Sequence, residues 1–225
     1  MQTLSQKITE QLREEILSGV RKPGQHLEEI PLAAALGVSR TPLRGALNAL
    51  AGQGLLVYLP KRGYLIRRFD IKDIIAAYEV RASLEGLACR LTAENGLPAE
   101  KLARLQQALG EGDRILAKGE LMAEDFEPYQ RMNVVLHEIL IEGSGNPWIR
   151  DFVQRSQEIP YVSSRIILWH DYATIARSHD DHHRIVDAVM RREGWRAENL
   201  MREHIHYAGL FLQRNFERIS PIDSD

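Results

Sequence analysis

The chain has 225 residues, 44% hydrophobic and 27% charged, which is enough to bury a sizeable core in one or two domains without covalent staples. Its single cysteine, Cys89, excludes an intrachain disulfide framework, and no apolar run approaches the roughly 18 residues that a bilayer-spanning helix needs. The net charge of −2 hides an asymmetry: residues 1–69 hold ten Lys and Arg against five Asp and Glu, while the remainder hold 19 against 26. A basic head on an acidic body suits a polyanionic partner for the head alone, because phosphate neutralisation with counterion release drives nucleic-acid affinity.

The start, Met1 to Gly19, interleaves Gln, Lys, Glu and Arg with apolar residues, unlike a secretory leader, so the expected setting is the cytoplasm. Leu4, Ile8, Leu12, Ile16 and Leu17 recur at three- and four-residue spacings and predict a first helix that Gly19 ends. After the Pro23-Gly24 turn, a second short helix is expected from about Leu27 to Leu36, with Ile30, Leu32, Ala33 and Leu36 available for burial. Gly37-Val38-Ser39 supplies the tight glycine turn of a helix-turn-helix. A third helix begins near Arg40-Thr41 with Pro42 in its first turn, buries Leu43, Leu47 and Leu50, and stops at Gly52 and Gly54. Leu55–Leu59 and Tyr64–Ile66 flank a basic turn, Pro60-Lys61-Arg62-Gly63, and read as a hairpin, which behind a helix-turn-helix is a wing.

This order of elements implies a chemistry. Residues at the start of a recognition helix reach base edges in the major groove, where Arg suits bidentate contact with guanine. Arg40 and Arg44, four apart, share a face there. Thr41 sits where its hydroxyl and the free N–H groups of a helix start can meet a phosphate. Lys61 and Arg62 at the wing tip can reach a neighbouring phosphate or the minor groove. The stretch PGQHLEEIPLAAALGVSRTPLRGALNALAGQGLLVYLPKRGYLI resembles the DNA-binding domain of the GntR superfamily of bacterial regulators, and the likeness covers Ile8 to Ile66. It implies that Arg40, Thr41, Arg44 and the wing glycine, Gly63, approach an operator. Gly45 departs from the pattern, where a Glu is usual, and glycine inside an exposed helix costs roughly 0.5–1 kcal/mol relative to alanine.

From Asp70 on no alternating strand is evident, and helices are expected over about Asp70–Glu94, Pro98–Ala117, Leu121–Ile141, Pro147–Glu158, Pro160–His170, Ser178–Arg191 and Trp195–Phe216. Breaks fall at Asn95-Gly96, Lys118-Gly119, Gly143–Asn146 and Glu193-Gly194, and Ser178-x-x-Asp181 reads as a capping box with Asp in place of Glu. AAYEVRASLEGLACRLTA, NVVLHEILIEGSGNPWI, SHDDHHRIVDAV and AENLMREHI together resemble the FCD sensor domain of the FadR subfamily, over most of Ile71 to Ile205. The fold expected is therefore mainly α, with a winged helix-turn-helix over 1–69, an FCD-like all-helical bundle for effector binding and dimerisation over 70–219, and a tail over 220–225.

Many FCD domains bind a divalent metal inside the bundle through one Asp or Asn and three His, and the resemblance carries those roles to Asn133, His137, His182 and His204, with Zn, or else Ni or Mn, as the metal. The spacing is compatible: Asn133 and His137 share a helical face, His182 opens a second helix, and His204 lies midway along a third that can run antiparallel to it. His179, His183 and His206 point elsewhere by period, although a change of register would let His179 substitute. Open coordination positions with a neighbouring Arg suit a carboxylate, and Arg81, with Tyr78 beside it, is the effector-binding candidate, an ion pair with Glu85 one turn on being its alternative. The reading is a homodimeric, ligand-responsive repressor of a metabolic operon that binds palindromic operator DNA and a small carboxylate. The alternatives are a metal-free bundle holding an apolar or aromatic effector, and a metal-dependent hydrolase, which the absence of HExxH and GxSxG motifs and the basic head disfavour.

Overall fold

A computed structural model describes residues 2–17, 19–157, 159, 162 and 171–219, with 217–219 described by backbone alone. The chain divides into two compact units that part at Asp70 and Ile71. Among the described residues no helix is long and apolar enough to cross a membrane.

The first unit holds α1 (Leu4–Leu17), β1 (His26–Leu27), α2 (Glu29–Leu36), α3 (Arg40–Gly52), β2 (Leu56–Leu59) and β3 (Gly63–Ile66). Helix α1 buries Ile8, Leu12 and Ile16, spaced four apart, and α3 buries Leu43, Leu47 and Leu50 completely, so the two apolar stripes meet over one core. Tyr64 and Ile66 alternate inward from β3, and Leu32 and Ala33 close the core from α2. Ile30, expected to be available for burial, is 67% exposed, because the short α2 presents only Leu32 and Ala33 inward.

The sheet runs antiparallel in the order β1-β3-β2, with Tyr58 opposite Tyr64 and Leu59 opposite Gly63. Leu27, expected to open the second helix, is instead a strand residue paired with Tyr64. Two residues carry no periodicity, so β1 exists only by virtue of its partner. The wing turns on Pro60 and Lys61, the latter at φ 67°, with the Arg62 N–H donating to Leu59 O at 2.9 Å. Gly63 lies just past this turn as the first residue of β3, at φ 81°, where a Cβ would come within 3.1 Å of Leu27 O.

The second unit is helical among its described residues: α4 (Ile71–Asn95), α5 (Ala99–Leu116), α6 (Ala123–Gly143), α7 (Pro147–Ser156), α8 (Tyr172–Met190) and α9 (Gly194–Ile219). Helix α4 is the spine, packed along α6, α7, α8 and α9. Its inward face carries small residues, Ala77, Ala82, Ala88 and Ala93, which let neighbouring helices approach closely, and also the charged pair Arg81 and Glu85. Helix α8 begins six residues before the expected start. Asp171 is its N-cap and accepts from the Thr174 N–H at 3.0 Å and the Thr174 hydroxyl at 2.6 Å, so Ser178 is interior and caps nothing. Consequently His182 lies in the middle of α8, not at its start. The helix expected over Pro160–His170 and the tail over 220–225 fall outside the described residues, apart from Val162.

Candidate functional site

Two constellations emerge, one in each unit. In the first, Arg40, Thr41 and Arg44 stand exposed on the first turns of α3. Ser39, the N-cap, makes no side-chain hydrogen bond to the helix and no acidic residue occupies the first turn, so the positive end of the helix dipole is uncompensated there. Glu29 of α2 holds both arginines. Its carboxylate accepts from Arg44 Nη2 at 2.8 Å and Nε at 3.1 Å, and from Arg40 Nη2 at 3.3 Å. The hydrogen bond from Arg44 holds the Glu29 carboxyl below its ordinary range and raises the guanidinium in turn. Pairs this exposed are screened by solvent and contribute little to stability, so their effect is to align two cations rather than to stabilise the fold. Lys61 and Arg62 are exposed at the wing tip, and Gly63 is the half-buried pivot behind them.

Gly45, on the same helix, faces α1: a Cβ there would lie 2.8 Å from Ser5 Oγ. Because the obstruction is one rotatable hydroxyl, Gly45→Ala is expected to stabilise the first unit by about 0.5–1 kcal/mol through helix propensity. A lowered thermal midpoint instead would show that Ser5 cannot turn away.

In the second unit His137 of α6, His182 of α8 and His204 of α9 converge, each donor atom within 4.8 Å of the others, and all three are buried. The ring centroids of His182 and His204 are 4.7 Å apart, and His137 lies 5.6 and 5.5 Å from them. Burial lowers both His182 and His204 as bases, with repulsion from the neighbouring imidazoles adding to it, and the neutral imidazole is the form that ligates metals. His182 is wholly buried, and neither of its ring nitrogens has a hydrogen-bond partner among the described residues. Buried polar atoms are normally satisfied, so an orphaned imidazole beside two others fits a divalent ion whose chemistry matches nitrogen donors. Asn133 is half-buried one turn before His137 on α6, within reach of the same face.

A carboxylate supports His137 from behind. Glu85 of α4 has Oε2 2.5 Å from His137 Nδ1 and accepts at Oε1 from Arg81 Nε at 2.5 Å, while Arg81 Nη1 donates to Val162 O at 2.7 Å. Burial pushes the Glu85 carboxyl up, but Arg81 and His137 outweigh it and hold it at about 2. With Nδ1 engaged, His137 presents Nε2 to the other histidines, the usual arrangement of a carboxylate orienting a metal-binding imidazole. On His204, Nδ1 lies 3.9 Å from Asp181 Oδ2, and Asp181 is 5% exposed, not a solvated surface acid.

Arg81 is thus 4% exposed and committed to Glu85 and Val162, which is the ion pair that i,i+4 spacing allowed. Tyr78 is buried with its ring 5.9 Å from the Arg81 guanidinium and its hydroxyl pushed up to about 12 by burial. His179 and His183 turn to Asp113 of α5, and His206 is exposed. Sequence reasoning missed Glu29, Glu85 as a support for His137, and the buried placement of Asp181. Only the Arg81–Glu85 spacing pointed towards any of them.

Residues 4–66 match the gntR family of bacterial regulatory proteins, and residues 76–207 match the FCD domain. The chain is similar to an uncharacterised HTH-type transcriptional regulator, YdhC, of Bacillus subtilis, 30% identical over 88% of this chain and 85% of that one. It is likewise similar to the Nta operon transcriptional regulator of Aminobacter aminovorans, at 30% identity over 89% and 87% of the two chains. Among solved structures, McbR/YncC of E. coli superposes with a TM-score of 0.74 at 21% identity, covering 96% of this chain and all of that one, a likeness of fold.

Proposed function

Since the chain belongs to the GntR family of bacterial regulatory proteins and carries an FCD domain, and is accordingly a DNA-binding transcriptional regulator and not an enzyme, we propose that it is a homodimeric, metal-containing repressor that senses a small carboxylate. The observation that carries the sensing half of this reading is the convergence of three buried imidazoles, of which His182 has no hydrogen-bond partner among the described residues. His137, His182 and His204 would hold a divalent ion, with the Asn133 carbonyl as a further donor. Three nitrogens and one neutral oxygen favour zinc or nickel over manganese, because imidazole suits the former and a carboxylate-poor site binds hard cations weakly. Such an ion supplies an electrostatic anchor for the carboxylate oxygen of an effector.

The chain's own residues prepare that site. Glu85 fixes the tautomer and orientation of His137, and Arg81 fixes Glu85, so both act as positioning residues behind the ligands. Because Arg81 and Glu85 neutralise each other behind the imidazoles, the attraction for an anionic effector would come from the bound ion. Tyr78 closes the apolar wall beside Arg81.

On the DNA side, Arg40 and Arg44 would read base edges while Thr41, Lys61 and Arg62 meet phosphates and Gly63 lets the wing backbone approach. Two copies related by a two-fold axis match a palindromic operator with half-sites about one helical turn apart, and occupancy of that operator excludes polymerase until the effector is bound. The name of a further relative, a probable D-xylose utilization operon transcriptional repressor of Paenarthrobacter nicotinovorans, 37% identical over 41% of this chain, supports control of a metabolic operon.

The test is binding to a duplex selected from a random pool, at fixed salt. Arg44→Ala is expected to weaken the selected duplex by about 1–3 kcal/mol while leaving the thermal midpoint essentially unchanged. Equal affinity of variant and wild type would remove Arg44 from base readout. No enrichment of any duplex would sink the regulatory reading.

A further inference from the structure

A second cluster of ligating side chains lies outside the convergence just described. Asp113 of α5 stands between His179 and His183 of α8, with its Oδ1 3.0 Å from His179 Nε2 and 2.8 Å from His183 Nε2. All three donor atoms lie within 4.8 Å of one another. The two histidines are one helical turn apart, so both imidazoles leave α8 on the same side, and each aims the same nitrogen at one carboxylate oxygen.

We propose that Asp113, His179 and His183 form an outer divalent-cation site, distinct from the buried trio, that takes a borderline ion such as zinc. Metal–nitrogen bonds of about 2.0–2.1 Å in a tetrahedral shell set neighbouring ligand atoms about 3.3–3.4 Å apart, so the two oxygen–nitrogen separations need to open by about half an ångström to admit an ion. Two neutral imidazoles and one carboxylate are a standard zinc donor set, and water completes the shell. Asp113 is 53% exposed and His183 43%, so the site exchanges with solvent and binds more weakly than an enclosed one. His179, by contrast, is 5% exposed and holds the inner wall of the site.

Gly112 makes room for this arrangement. A Cβ at that position would lie 2.1 Å from His179 Cε1 and 2.7 Å from both ring nitrogens, so any side chain next to Asp113 would drive the imidazole off the carboxylate. The site joins α5 to α8, and α8 also carries His182. An ion bound there braces the helix that supplies a donor to the inner cluster.

The probe is zinc alone, with bound metal per chain measured by equilibrium dialysis of the full-length protein at neutral pH. Wild type should take up two equivalents, Asp113→Ala and His183→Ala one each, and His182→Ala one. Both outer variants replace exposed side chains and should keep the wild-type circular-dichroism spectrum. Wild type saturating at one equivalent that Asp113→Ala retains, or two equivalents in both outer variants, overturns the outer site. One equivalent in wild type that Asp113→Ala abolishes and His182→Ala retains supports the outer site and removes the inner one, so the two readings fail separately.

Discussion

Glu85→Ala should destabilise the helical unit by about 3–5 kcal/mol, the largest effect expected of any single side chain here. Glu85 is 1% exposed and is the carboxylate to which Arg81 donates through Nε. Removing it strands a guanidinium that is itself 4% exposed, with the Val162 carbonyl as its remaining hydrogen-bond acceptor from Nη1. An uncompensated buried charge cannot neutralise itself in arginine, which stays protonated, so the cost falls on the fold. The second consequence is on His137, which loses the oxygen 2.5 Å from Nδ1 and with it a fixed tautomer. Losing such a supporting carboxylate weakens a metal site by about 10–100-fold. Glu85→Gln separates the effects: it keeps an acceptor of the same shape, so it should fold better than the alanine variant while still weakening zinc. Urea unfolding of the metal-free protein and zinc titration read the two quantities. A loss of stability under about 1 kcal/mol in Glu85→Ala would mean that Arg81 finds another partner, and the positioning role would fall with it.

His182→Ala should remove one equivalent of zinc and with it the stabilisation that zinc confers through the inner cluster. An ion bound only by the folded state stabilises by RT ln(1 + [M]/Kd), about 4 kcal/mol at a thousandfold excess over Kd. Wild type melted with a chelator should therefore lose several degrees relative to zinc-loaded protein. The variant should lack that part of the response, since only the two imidazoles from α6 and α9 remain. Specific DNA binding by the chelated variant should match that of chelated wild type, because α3 and the wing belong to the other unit. A variant with undiminished zinc would take His182 out of the site, and so would an unchanged difference between chelated and loaded melting points.

The first seventy residues were legible almost element by element. The stripes on α1 and α3 repeat over three or four turns, and the wing is bounded by Pro60 and Gly63, so local spacing alone specifies both. Where the element was short, that logic failed: β1 is two residues long, and Ile30 looks as apolar as Leu32 in a helix of eight. The start of α8 was misplaced because Ser178-x-x-Asp181 mimics a cap, whereas the hydrogen bonds from Thr174 reveal Asp171 as the cap.

By itself the sequence determined the basic head and the shared face of Arg40 and Arg44 on α3, since these depend on residue type and on spacing within one helix, whereas the three histidines, which lie on three separate helices, were indicated only by the resemblance to the FCD domain. Tertiary structure alone decided what stands behind them: Glu29 across from Arg40 and Arg44, Glu85 against His137, and Asp113 between His179 and His183. Two of these pairings join residues 52 and 66 positions apart on separate helices. A carboxylate on a helix reads the same whether it faces water or an imidazole; the difference lies in which neighbouring helix packs over it, and no periodicity within its own helix records that.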